Sequence, residues 1–281
     1  LPNALDDVRR ELARANRILA HEDVLDAFGH VSVRHPGDPG RYLLSRSRGP
    51  ELVESDDILE FTLDSEPVVP PTRRLYSERV IHGCIYQARP DVHAVVHHHA
   101  PSIMPFCIAG VDLVPVFHLG ATMGAKAPFW DSRDEFGDTS LLVIKPEEGR
   151  SLARALGSHA MVLMRRHGAT VVGDNLHQVV FRSIYSARNA EHQWRAHALG
   201  AVGPLTAGEA ALAAQHNLQP GPVERAWEYW SGRLDKVESL VRAANAKRPA
   251  ARGPAPARTK SGKATGRAAR RKRARRSRGS R

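Results

Sequence analysis

Leu5, Val8, Leu12, Ala15 and Leu19 recur at steps of three and four, with mostly polar residues between them. That spacing lays one apolar stripe along an amphipathic helix. Beyond Gly29 the period changes to two. His30-Val31-Ser32-Val33-Arg34 predicts a strand, and turn residues 35–40 lead into Tyr42-Leu43-Leu44, so the two read as a hairpin. A further strand is expected over 58–63. Leu75, Val80, Ile81, Cys84 and Ile85 return to helical spacing, which predicts a helix over 75–88 that stops before Pro90. Strands follow at 94–98, 114–118, 141–144, 161–164 and 169–172, with a short helix over 101–109 and another from 147 to Gly157. Asn175 is placed to cap a long helix reaching about 199, and Thr206 with Glu209 forms a capping-box pattern for the next. Residues 222–246 close the pattern as a helix carrying Trp227 and Trp230. Strands in mid-chain with helices around them imply a layered α/β or α+β fold.

Charge divides the chain. The formal net charge is +11, yet 247–281 holds 15 Lys and Arg, no acid and no large apolar residue. Residues 1–246 therefore carry 26 basic and 30 acidic groups, a net of −4. A basic nucleic-acid-binding body is excluded, and two parts are expected: a domain over 1–246 and a disordered basic tail over 247–281. Such a tail either contacts nucleic acid without reading sequence or solubilises the chain.

Other classes fall away as well. Cys84 and Cys107 are the only cysteines, too few for a disulfide scaffold or a cysteine zinc site. No 18-residue apolar run predicts a membrane span, and the first ten residues are too charged for a signal peptide, so a cytoplasmic protein is expected. There is no Gly-x-Gly dinucleotide fingerprint, Walker loop or Gly-x-Ser-x-Gly elbow.

The histidines carry the chemistry. His97 and His99 end the strand at 94–98 and face one way, with His98 facing the other. His167 follows the buried run 161–164 at a Gly168 corner. Three neutral imidazoles with one position open suit a catalytic metal. From these residues alone, exposed strand histidines fit equally well. Glu78 reads either as a solvated acid in a first helical turn or as a general acid/base.

The runs Ser77-Glu78, His82, 85–92 and Ala94-Val95-Val96-His97-His98-His99, then 161–164, Arg166-His167-Gly168 and Val171-Val172-Gly173, resemble the class II aldolase/adducin superfamily. The resemblance covers about residues 5–200. It implies a three-layer α/β/α fold with a mostly antiparallel central sheet. It also implies one divalent metal ion per subunit on His97, His99 and His167, zinc first, with manganese, iron or cobalt open. Glu78 maps to the acidic residue that serves as catalytic base or proton carrier. A homotetramer with active sites between subunits is implied, along with a small anionic substrate.

Departures shape the expected substrate. Sugar-phosphate members carry Asn at His30, a small hydroxyl loop where this chain has Leu44-Ser45-Arg46-Ser47-Arg48-Gly49, and Ser-Ser where it has Tyr76-Ser77. The block after His99 and the run Val116-Phe117-His118-Leu119-Gly120 are more similar to the branch of 3,4-dihydroxyphthalate decarboxylases. Non-oxidative decarboxylation of a hydroxylated aromatic acid is therefore expected. Aldol cleavage of a hydroxy-oxo acid or sugar phosphate is the alternative, and a binding protein using the tail is a third. His30, Ser45, Arg46, Tyr76, Ser77 and His118 are the expected substrate-binding residues. Arg46 with Arg48 reads equally as exposed hairpin charge, and His118 as a core histidine.

Overall fold

The structure, a computed structural model, describes residues 4–246, so the basic segment 247–281 lies outside the described residues. One compact unit extends to Leu240, and the final helix continues past it from Val241 to Ala246.

Seven strands form one sheet: β1 (His30–Arg34), β2 (Arg41–Ser45), β3 (Ile58–Thr62), β4 (Ala94–His98), β5 (Phe129–Trp130), β6 (Met161–Met164) and β7 (Gly168–Gly173), in the order β3-β2-β1-β4-β7-β6-β5. The eight α-helices among the described residues are α1 (Ala4–His21), α2 (Val80–Ala88), α3 (Met104–Ala109), α4 (Arg133–Phe136), α5 (Pro146–Leu156), α6 (Leu176–His197), α7 (Ala207–Asn217) and α8 (Pro220–Ala246).

Strand alternation sorts side chains into two cores, one on each face. Ala94 and Val96 of β4 join Leu12, Ile18, Val179, Phe181 and Trp230 from α1, α6 and α8. Val95 joins Ile81, Ile85, Leu152 and Leu156 from α2 and α5. The result is helices, sheet, helices in three layers. The sheet is mixed: five of its six pairings are antiparallel, as expected for most of it, and one is parallel. β6 pairs antiparallel with β7, but β5 runs parallel to β6. The cause is the connection: α4 and α5 lie between β5 and β6, and a helical crossover returns the chain in the same direction.

Two expected strands are absent, for a shared reason. At 114–118 the backbone bonds to amide side chains of α6 instead of a neighbouring strand. Val114 N–H donates to Gln193 Oε1 at 3.0 Å and Val116 N–H to Asn189 Oδ1 at 2.9 Å. Asn189 and Gln193 in turn donate to the carbonyls of Val114 and Asp112. At 141–144 the N–H groups of Val143 and Ile144 go to the carboxylates of Glu78 and Glu148. Buried backbone groups need partners, and here side chains supply them. The expected caps are present: Asn175 accepts from Gln178 N–H, and Thr206 with Glu209 closes its box.

Candidate metal centre

Glu78, His97, His99 and His167 converge, with one ligand atom of each lying within 4.8 Å of all the others. Each arrives from a different constraint. His97 takes the α2-facing side of β4, and His99 lies one residue beyond the strand on the same side. His167 sits in the corner between β6 and β7. That corner depends on Gly168, because a Cβ there would lie 2.3 Å from the His98 carbonyl oxygen and 2.8 Å from the His99 ring. Glu78 occupies a short 3-10 turn, Ser77–Arg79, ahead of α2, with φ −90° and ψ 17° in the sparsely populated bridge region.

The ring orientations select which nitrogens face inward. Thr170 donates its hydroxyl to Met164 Sδ, so its oxygen accepts from His97 Nδ1–H at 3.3 Å. His99 Nδ1 faces the Asp26 carboxylate at 3.5 Å, which can only accept. Both Nε2 atoms are thereby left bare, and they face one another at 3.1 Å. Two lone pairs aimed at each other repel, whereas a shared cation joins them. His167 Nε2 completes the set 3.4 Å from Glu78 Oε1, and its Nδ1 is buried without a hydrogen-bond partner among the described residues. Outer groups fix the tautomers of His97 and His99, and with His167 they make a three-nitrogen donor set that fits a divalent metal.

Burial pushes His97 well below the ordinary imidazole range, although Glu78 opposes it, so the ring stays neutral and its lone pair stays available. For Glu78, burial is the largest influence and opposes ionisation. The His167 hydrogen bond, the proximity of His97 and His167 and the Val143 N–H outweigh it and hold the carboxyl at about 2. Glu78 is thus a carboxylate at neutral pH, able to take up a proton before it gives one.

A cleft of about 590 Å³ opens beside the cluster. Its walls include Phe28, Leu75, Tyr76, Leu141 and Leu142, with His30, Ser77 and Arg166 among the polar groups. The His30 ring contacts those of Tyr76 and His97, at 4.7 and 5.2 Å. Of the expected substrate residues, His30, Tyr76 and Ser77 therefore line the cleft. Ser45 lies behind it, 3.4 Å from the Tyr76 hydroxyl. Arg46 is not brought in: it and Arg48 clamp Asp57 at 2.5 Å each, and a guanidinium satisfied by a carboxylate is not poised for a second anion. His118 is not brought in either. It is exposed beside Phe117, and its carbonyl accepts from Asn217 on α7.

Phe28, Ser140, Leu141 and Arg166 are cleft residues that the sequence reading missed. Leu141 and Arg166 both hold positive φ, 67° and 52°, a region costly for non-glycine residues and often found at functional sites. The guanidinium of Arg166 is exposed and pairs with no carboxylate among the described residues.

Residues 10–194 match the model of the class II aldolase and adducin N-terminal domain. The chain belongs to the class II aldolase/adducin family. Within the family its likeness runs to decarboxylases, and it is a lyase. It is 34% identical over 235 residues to decarboxylase tropJ of Talaromyces stipitatus, covering 76% of this chain and 88% of that one. It is 30% identical over 191 residues to a 3,4-dihydroxyphthalate decarboxylase of Arthrobacter keyseri, covering 63% and 73%. Among solved structures, L-fuculose 1-phosphate aldolase of Glaciozyma antarctica superposes with a TM-score of 0.69 at 19% identity, covering 84% and 91%. That likeness shows the class II aldolase fold.

Proposed function

We propose that this chain is a divalent-metal-dependent decarboxylase of a hydroxylated aromatic carboxylic acid. The observation that carries the reading is the cleft beside the histidine cluster. Its walls are apolar and aromatic, its available cation is Arg166, and the loop that would cradle a phosphate has spent Arg46 and Arg48 on Asp57. A flat ring with a carboxylate suits those walls better than a sugar phosphate, and the guanidinium fork of Arg166 matches that carboxylate.

His97, His99 and His167 would hold the ion, zinc first among the candidates, which supplies Lewis-acid stabilisation of the charge left by carbon–carbon cleavage. The protein's own groups move the proton. Glu78, ionised at rest, takes the proton of a substrate hydroxyl and so becomes the acid. It then delivers that proton to the ring carbon that carries the carboxylate. The carbon–carbon bond breaks, its electron pair stays with the ring to form the new carbon–hydrogen bond, and carbon dioxide leaves. Glu78 ends as it began, and the product leaves as a phenolate. Tyr76 and the Leu141–Leu142 backbone shield this exchange from bulk water.

Phe28 and Leu142, 72% and 45% exposed at the cleft mouth, support an assembly in which a neighbouring subunit covers the site, a homotetramer in our reading. Among the described residues no helix is long and apolar enough to cross a membrane. Cys84 and Cys107 are free and buried, in keeping with a reducing cytoplasm. The basic segment 247–281 is read as an appendage that adds weak, salt-sensitive contact with polyanions such as nucleic acid.

The test is a substrate panel with and without chelator. It comprises 3,4-dihydroxyphthalate, other dihydroxylated aromatic acids, and sugar phosphates with their dephosphorylated forms. Chelator-sensitive carbon dioxide release from an aromatic acid supports the reading. Cleavage of sugar phosphates alone, giving an aldehyde, replaces it with the aldolase alternative on the same residues.

A further inference from the structure

β1 turns His30 and Ser32 toward α2, and α2 answers with His82 and Tyr86, one turn apart. The four side chains form an unbranched buried chain. Tyr86 OH lies 2.8 Å from Ser32 Oγ, Ser32 Oγ lies 2.6 Å from His82 Nδ1, and His82 Nε2 lies 2.7 Å from His30 Nδ1. All four residues are at most 1% exposed. His30 lines the cleft and turns Nδ1 away toward His82, which leaves Nε2 on the cleft side.

Each link holds one proton, so the chain can run in two directions. If His30 Nδ1 donates, then His82 Nδ1 donates to Ser32 and Ser32 donates to Tyr86. The Tyr86 hydroxyl proton is then buried with no acceptor among the described residues. In the other direction Tyr86 donates to Ser32, Ser32 donates to His82 Nδ1, and His82 Nε2–H donates to His30 Nδ1. Every group between Tyr86 and His30 Nδ1 is then paired, and the one donor left over, His30 Nε2–H, is the one on the cleft side. An orphaned buried donor disfavours the first arrangement by about tenfold or more.

We propose that the Tyr86–Ser32–His82 chain holds His30 as its Nε2–H tautomer and so aims one neutral N–H donor into the cleft, at a substrate oxygen that gains negative charge. The identity of that oxygen, the hydroxyl that becomes phenolate, rests on the decarboxylase reading; the tautomer does not. A neutral donor suits this task because it strengthens its hold as charge grows on the oxygen. Contacts with the Tyr76 and His97 rings, at 4.7 and 5.2 Å, restrain the imidazole, so the donor is aimed in advance. Tyr86, Ser32 and His82 act through His30 and are positioning residues.

The decisive experiment is a long-range proton–nitrogen correlation on protein labelled with ¹⁵N-histidine, with the His30 signals assigned by their loss in His30→Gln. The expected result is a proton-bearing Nε2 and a bare Nδ1 on His30, giving way to a mixture of both tautomers in Ser32→Ala. A second readout is the binding of 4-nitrocatechol to the zinc-loaded protein, followed by absorbance. His30→Leu should weaken it by about tenfold or more, and His30→Gln, whose amide keeps a donor, should recover most of the loss. A His30 that carries its proton on Nδ1 in the unaltered protein overturns the inference. So does equal 4-nitrocatechol affinity in His30→Leu and the unaltered protein. Should no aromatic acid release carbon dioxide, the decarboxylase reading fails while both of these results still decide the tautomer and the donor.

Discussion

The backbone N–H of Val143 donates to Glu78 Oε1 at 2.9 Å, so the loop that lines the cleft also aims the carboxylate at the histidines. The loop adopts a positive φ at Leu141 two residues earlier, which turns the following N–H groups inward. Glu78→Gln keeps an oxygen for Val143 and keeps the shape of the turn, but it can neither take up nor return a proton. Turnover should fall about 10²–10⁴-fold with metal content unchanged by elemental analysis. A drop of less than tenfold would mean that another group carries the proton.

His82 sets part of the acid limit of stability. Burial is the main cause that lowers its pKa, from 6.5 to about 3, with Glu78 opposing. Between those values the unfolded chain binds a proton that the folded chain refuses. The sign follows: the contribution is complete above about pH 6.5 and is lost as pH falls toward 3, amounting to something on the order of 5 kcal/mol. Melting temperature against pH should therefore have a shallower slope across this window in His82→Gln, whatever the variant's absolute stability. An unchanged slope would show that His82 already titrates normally in the folded protein.

Asn189 serves two backbone groups at once, accepting from Val116 N–H and donating to the Val114 carbonyl. Asn189→Leu leaves both unpaired in a buried setting. Unfolding by urea should show a loss of about 2–4 kcal/mol. A loss under about 1 kcal/mol would mean that water reaches this segment and replaces the amide.

The outer part of the chain should be separable. Deleting 247–281 removes 15 basic residues and leaves a remainder of net charge −4. Retention on heparin should vanish, while turnover and melting temperature stay within error. A large fall in melting temperature on truncation would assign the segment a packing role.

Much of the fold is legible in the sequence because most elements have a clean period of 3.6 or 2, and α6 and α7 also carry side-chain N-caps. The exceptions are instructive. Segments 114–118 and 141–144 have the apolar spacing of strands, and their backbones do find hydrogen-bond partners, but those partners are Asn189, Gln193, Glu78 and Glu148. No local pattern reveals that a distant side chain will supply a strand's partner. β5 has only two residues, too few to show a period. In the site, the metal-type cluster is legible because His97 and His99 share a strand face and His167 marks a glycine corner. Arg166 adjoins His167 in sequence, and that adjacency was the signal available for it. Phe28 and Leu141 reach the cleft through loop paths that only the folded chain defines. The pairing of Arg46 with Asp57 across the β2–β3 connection is likewise not visible in any local pattern.

The most direct test of the central claim is to run the reaction on 3,4-dihydroxyphthalate and its relatives in heavy water and follow the product by proton NMR. The account predicts one carbon dioxide per acid consumed. It also predicts one deuterium on the ring carbon that carried the carboxylate, with both lost on chelation and in His97→Ala. Carbon dioxide release that survives removal of metal, or no release from any hydroxylated aromatic acid, would contradict it.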